Sequence, residues 1–384
     1  MKTMDDYDFL GKRVLLRVDI NSPVVDGKIQ DNPRIVAHAM TIKELAEKGA
    51  KVIVIAHQGR PGDKDFTNLK QHAKLLENHT GMLVRFVSDI TGVANAAESM
   101  KKGEIMLLDN VRKMEDEFSE EPENTLLVKT LFRMADVYVN DAFSASHRPH
   151  ASIVGFKNLL PCIAGRVMEV ELSALKNIEE SIPPVVLVLG GAKPENSIKL
   201  MESRLNYDIA LTCGIVGELF LIAKGHDLGK TRTFLTEKGF DKFLVSIKKL
   251  ETENKKIITP LDVAYDDNGR KEASVLKMPH DKILYDIGSE TIGEYRSAIK
   301  HAGTVIMNGW AGMAEDKKFR KGTQELLKAV AESEAYSLVC GGHTTEFIEE
   351  LKIPKSSFSH ISIAGGAMLA ALAGEKLPGV EALG

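Results

Sequence analysis

The sequence predicts two doubly wound α/β domains, each a parallel sheet covered on both faces, joined by a long helix with a cleft between them. Three observations carry this. Short apolar runs alternate with longer segments of helical period along the whole chain. Polar and glycine residues gather where those runs end. At 384 residues the chain exceeds what one core usually supports, and 43% hydrophobic with 27% charged residues is ordinary for a folded protein with material for two cores.

In the first half, RVLLRVDI (13–20), AKVIVIAHQG (50–59), EIMLLDN (104–110) and DVYVNDAF (136–143) read as strands. RIVAHAMTIKELAEKGA (34–50) places apolar residues at helix spacing and stops at Gly49. AGRVMEVELSALKNIEES (164–181) reads as one long helix ending before Pro183 and Pro184, and the hinge is placed there. The rhythm then resumes with PPVVLVLGG (183–191), YDIALTCG (207–214), KIITPLDVAY (256–265), AGTVIMNG (302–309), AYSLVCGG (335–342) and FSHISIAGG (358–366). The expected boundaries are a first domain over 1–163, the helix over 164–181, a second domain over 182–365, and a tail over 366–384.

Composition excludes several classes. The formal charge of −4 gives no global positive field for nucleic acid or an anionic membrane, so any basic site is local. No apolar run approaches the roughly 18 residues of a membrane span, and the N-terminus lacks the apolar stretch of a signal peptide. Cys162, Cys213 and Cys340 lie far apart and form no CxxC pair, which predicts a reducing, cytoplasmic setting. The dinucleotide fingerprint G-x-G-x-x-G and the Walker A pattern are both absent. No catalytic Ser/His/Asp order or zinc motif stands out either.

The ends of the strands carry the chemistry. Arg17, Arg34, Arg60, Arg112 and Arg148, with His57, His147 and His150, sit on or just after strands or at a helix start. Guanidinium forks grip phosphate and carboxylate bidentately, so the set points to a small, multiply anionic ligand. Asp19 and Asn21 suit two roles, capping the turn before Pro23 or accepting a substrate hydroxyl. In the second half Gly190–Gly191, Gly214, Gly309, Gly312, Gly341–Gly342 and Gly365–Gly366 follow apolar runs. Glycine lets a backbone approach a ligand closely, and the helix N-termini after such turns present free N–H groups to phosphate, so this half predicts a nucleotide rim. An arginine rim and a glycine rim suit phosphoryl transfer, which needs positioning and positive charge more than covalent help.

RVDINSP, DNPRI, AHQGRP, LLDNVR, VNDAFSASHRPHAS, LGGAKPENSIK, DIGSET, MNGWAGMAE, GGHTTE and GEKLPGVEAL follow one another in an order and spacing that resembles the phosphoglycerate kinase family in its short, archaeal form. The resemblance spans nearly the whole chain. It implies reversible transfer of the acyl phosphate of 1,3-bisphosphoglycerate to ADP, giving 3-phosphoglycerate and ATP, with Mg²⁺, in a cytoplasmic monomer. On the matching positions, Asp19, Asn21, Arg34, His57, Arg60, Arg112 and Arg148 would hold the phosphoglycerate on the N-terminal domain. Lys193, Gly214, Asn308, Glu315 and the segment Gly341, Gly342, His343 and Thr344 would lie at the nucleotide on the C-terminal domain. Arg34 and Lys193 would flank the moving phosphoryl group, and the tail would return to the first domain. The family pattern is departed from at Ser197, where it has a second lysine, and at Trp310, His343 and Ile363. These departures leave a second reading open: a paralogue that binds a phosphorylated metabolite and uses nucleotide weakly or differently.

Overall fold

Alternation of apolar side chains builds the first sheet. In the computed structural model, which describes residues 1–90, 92–253, 256–341 and 344–384, strands β1 (Arg13–Arg17), β2 (Lys51–Ile55), β3 (Val84–Val87), β4 (Ile105–Leu108), β5 (Val137–Asn140) and β6 (Cys162–Ala164) form one sheet. Its order is β3-β4-β2-β1-β5-β6, and every pair is parallel. Val14, Leu16, Val52 and Val54 pack into a core on one face, while Leu15, Ile53, Ile55, Met106 and Tyr138 pack into a core on the other. A strand buried on both faces reads as a continuous apolar run, which is why these segments were legible. Each such side chain contributes roughly 1.5–3 kcal/mol by leaving water.

The helix Pro33–Glu47 begins where Asn32 accepts hydrogen bonds from the backbone N–H groups of Arg34 and Ile35, with Pro33 in the first turn. It ends just before Gly49, whose φ of +79° takes the chain back toward the sheet. That cap sets Arg34 at the helix start, on the same side as the strand ends.

The second sheet repeats the plan with β7 (Val185–Leu189), β8 (Ile209–Thr212), β9 (Lys256–Ile258), β10 (Thr304–Asn308), β11 (Tyr336–Cys340) and β12 (His360–Ser362), in the order β9-β8-β7-β10-β11-β12 and again all parallel. The segment 256–265, expected as one strand, is two. It breaks at Pro260, which cannot donate to a ladder, and its second part (Asp262–Asp266) pairs antiparallel with Arg270–Ser274 and Leu284–Ile287 in a separate three-stranded sheet.

The chain divides into two compact units, Met1–Ser173 with Lys376–Gly384, and Ala174–Glu375. The division falls inside the helix Arg166–Glu179. The helix Gly365–Leu372 belongs to the second unit, so the returning segment begins at Lys376. In the first unit, the backbone N–H of Gly379 donates to Ser146 at 2.9 Å, and Asn140 Nδ2 donates to the Gly379 carbonyl at 3.2 Å. Among the described residues no helix is long and apolar enough to cross a membrane.

Candidate active site

The first unit collects its basic residues on the loops that leave β1, β2, β4 and β5. Arg17, at the end of β1, is fully buried. Its Nε donates to Ser152 Oγ at 2.9 Å, and its other nitrogens donate to the Val18 carbonyl and to His57 Nδ1, the latter at 3.1 Å. Because Arg17 can only donate, His57 Nδ1 must accept, which leaves the ring proton on Nε2. Burial, with Arg17, Arg112 and Arg148 nearby, pushes the His57 pKa below its ordinary value and keeps the ring neutral. Ser152 in turn donates to Glu117 Oε1 at 2.7 Å, and Glu117, raised above its usual range by burial, is completely enclosed.

Asp19, two residues past β1, is almost fully buried. Burial works against its ionisation, but Arg34 at 3.3 Å and the Ser144 hydroxyl outweigh it and hold the carboxyl charged, below the usual carboxylate range. The Asp19 backbone N–H donates to His38 Nε2 at 3.3 Å, so His38 Nδ1 donates to Asp141 at 2.7 Å. The other Asp141 oxygen accepts from the N–H of Val167 at 2.8 Å, at the start of the helix Arg166–Glu179. Asn21 accepts from the Gly59 N–H at 2.7 Å and so pins the turn that carries His57 and Arg60.

Arg112 is buried and donates to the Gly59 carbonyl, while its Nε has no partner among the described residues. Burial first, then the neighbouring charges of Arg17 and Arg148, lower its pKa to about 10. Arg148 is lowered for the same reason, with Arg60 the largest neighbouring charge, and its Nε donates to His147 at 3.1 Å. Burial and Arg112 push His150 down to about 3. Arg60 is exposed. Asp19, Asn21, Arg34, His57, Arg60, Arg112 and Arg148 thus fall on one set of strand-end loops. The charges acting on Arg112 and Arg148 are each other, Arg17 and Arg60 on the positive side and Asp19 and Glu117 on the negative, so these guanidiniums sit in an excess of positive charge. Guanidiniums whose charged state is disfavoured by one another mark a site that an anion completes.

The second unit holds a cavity of about 790 Å³. Lys193, Gly214, Asn308, Glu315, Gly341 and Thr344 all line it; Gly342 and His343 lie outside the described residues. Its floor is backbone. The Gly190 N–H donates to the Asn308 carbonyl at 2.9 Å, Gly191 to Trp310 at 2.7 Å, and Gly214 to Ala311 at 3.0 Å. A Cβ on Gly309, which has a φ of +76°, would fall 2.6 Å from the Gly190 carbonyl oxygen. Only glycine allows these turns to touch. Lys193 stands exposed immediately before the helix Pro194–Glu202 and makes no ion pair among the described residues. Ser197, one turn along, is buried and accepts a long hydrogen bond of 3.4 Å from Asn308 Nδ2, so it belongs to the wall rather than to the cationic lining. Sequence reasoning did not single out Glu218, Thr231 or Asp286, which also line the cavity.

The family model for phosphoglycerate kinase matches residues 4–375. The phosphoglycerate kinases of Saccharolobus solfataricus and Methanothermus fervidus are 44% and 43% identical to it, each over 99% of this chain and 96% of their own length. The crystal structure of phosphoglycerate kinase from Pyrococcus horikoshii OT3 superposes with a TM-score of 0.93 at 39% identity, covering 100% of this chain and 98% of that one. The Coxiella burnetii phosphoglycerate kinase gives 0.83 at 30% identity, over 99% and 98% of the two chains. With the arginine cluster and the glycine-floored cavity in the expected halves of the sequence, the chain belongs to the phosphoglycerate kinase family.

Proposed function

We propose that this chain transfers the acyl phosphate of 1,3-bisphosphoglycerate reversibly to ADP, giving 3-phosphoglycerate and ATP. The observation that carries the reading is that one chain holds both an excess of buried guanidinium charge, in the first unit, and a glycine-floored cavity, in the second. Arg112, Arg148 and Arg60 would hold the phosphate and carboxylate of phosphoglycerate as bidentate or charge-assisted partners. Asp19, kept ionised, would accept the substrate hydroxyl, and His57 would donate from Nε2.

Arg34 and Lys193 would carry the charge that develops on the moving phosphoryl group, the role of preorganised donors in such transfers. Transfer requires the two ligands to be brought in line and water to be excluded, so closure of the units on their substrates is part of the proposal. Mg²⁺ would neutralise the nucleotide phosphates. Among the described residues no three His, Cys, Asp or Glu side chains gather to cage a metal, which fits an ion held mainly by phosphate oxygens and water. The three cysteines form no disulfide, which supports a reducing, cytoplasmic setting, and the resemblance supports a monomer.

Consumption of ATP in a coupled assay with 3-phosphoglycerate and Mg²⁺ tests the reading. Turnover in the ordinary enzymatic range is expected. Negligible turnover with retained 3-phosphoglycerate binding by calorimetry would reject it in favour of a metabolite-binding paralogue, which no observation on this chain otherwise favours.

A further inference from the structure

The helix Gly214–Ala223 turns Gly214, Ile215, Glu218 and Leu221 toward the cavity, at the spacing of a single helix face. Three of these suit an apolar wall; a carboxyl does not. The surrounding lining is apolar too, with Phe234, Val263 and Leu284. The other carboxyls of the cavity are accounted for. Asp286 pairs with Arg270 at 2.7 Å and accepts from the N–H groups of Gly322 and Ile287, and Glu315 is exposed to water. Among the described residues Glu218 has neither a hydrogen bond nor an ion pair, and burial pushes its carboxyl up to about 8. An unpartnered carboxyl is an unfavourable component of an apolar wall unless a ligand completes it.

We propose that Glu218 is the base-reading residue of this cavity and accepts a hydrogen bond from the exocyclic amino group of an adenine nucleotide. The inference rests on the nucleotide half of the function proposed above. Lys193 and the glycine turns supply what phosphates need, and the apolar wall supplies the faces between which a base ring is buried. Adenine then presents one donor pair, the 6-amino group, beside acceptor ring nitrogens. A carboxyl that retains its proton offers an acceptor and a donor side by side, the complement of that edge. Thr231, also in the lining, already accepts from the Leu284 N–H at 2.9 Å, which ties its hydroxyl to the neighbouring strand and leaves Glu218 the carboxyl of the wall with its acceptors uncommitted.

Calorimetric titration of the whole chain with ADP and with purine riboside 5′-diphosphate, which lacks the amino group, tests this without requiring turnover. The native protein is expected to bind ADP about fivefold tighter, the scale of one net hydrogen bond. Glu218→Leu should bring ADP to the affinity of the analogue and leave the analogue within about twofold of its native value. Glu218→Gln, which keeps an acceptor oxygen and the shape, should keep most of the preference. Equal affinity of the native protein for the two ligands would overturn the proposal even if Glu218→Leu failed to fold, and so would equal losses on both ligands in a folded variant. If ADP itself did not bind the native protein, the nucleotide reading of the cavity would fall, a different result from ADP and analogue binding alike.

Discussion

The two ligand-bearing regions of this molecule are built from opposite materials. The first unit uses side chains: buried guanidiniums held by carbonyls, a serine and a histidine, with one carboxylate kept ionised among them. The second uses backbone: glycine turns packed against one another at distances that exclude a Cβ, with the exposed Lys193 at their edge. The lesson concerns tolerance. A charged rim loses affinity in increments as its forks are removed, whereas a floor of touching backbones is disrupted by a single methyl group.

The largest expected effect falls on the lysine at the edge of the backbone-built region. Lys193→Ala should lower kcat by about 100-fold or more, the scale of losing one preorganised transition-state donor, with 3-phosphoglycerate affinity unchanged by calorimetry. A native rate would remove Lys193 from the reaction. Next, Gly309→Ala forces a Cβ against the Gly190 carbonyl at a positive φ and should cost about 1–3 kcal/mol in thermal or urea unfolding, with nucleotide KM raised and phosphoglycerate KM untouched. Unchanged stability and KM would show that the floor is more pliant than its geometry indicates.

On the charged side, Arg112→Lys keeps the charge and loses the fork. It should raise the KM for 3-phosphoglycerate by about tenfold, close to 1.4 kcal/mol, and spare the nucleotide KM. The last effect, spread over the pH scale rather than set on one ligand, is on stability. His72 and His150 have folded pKa values depressed to about 4 and about 3, below the ordinary 6.5. Between those values and about 6.5 the unfolded chain binds protons that the native state refuses, so stability is present above the unfolded value and falls on acidification. The slope is at most about 1.4 kcal/mol per pH unit for each such histidine. His72→Gln should flatten the unfolding free energy between pH 6 and pH 4.5; an unaltered slope would show that His72 does not set it.

The same contrast governs what could be read from the sequence. Arg60, Arg112 and Arg148 were legible because arginine after an apolar run is an uncommon placement for a solubilising charge. The glycine turns were legible as a group but not individually. β3 was missed because Arg85 interrupts a run of only four residues, and β6 because it is only three residues beside Pro161. The small antiparallel sheet was missed because Arg270–Ser274 is mostly exposed and polar and pairs over a distance no local pattern records. Arg17 was seen as one cation among several, and its burial, which sets the His57 tautomer, arises only from tertiary packing. Glu218 was invisible because a glutamate on a helix ordinarily reads as a solvated face.

The hydrogen bonds of Gly379 to Ser146 and Asn140 also impose an order on synthesis. The first unit is closed by Lys376–Gly384, which follow the second unit in the chain. Its opening 173 residues therefore emerge, and wait, while the whole of the second unit is translated. The half of the protein that carries the dense buried charge is thus the half that begins first and is closed only after the other has been made.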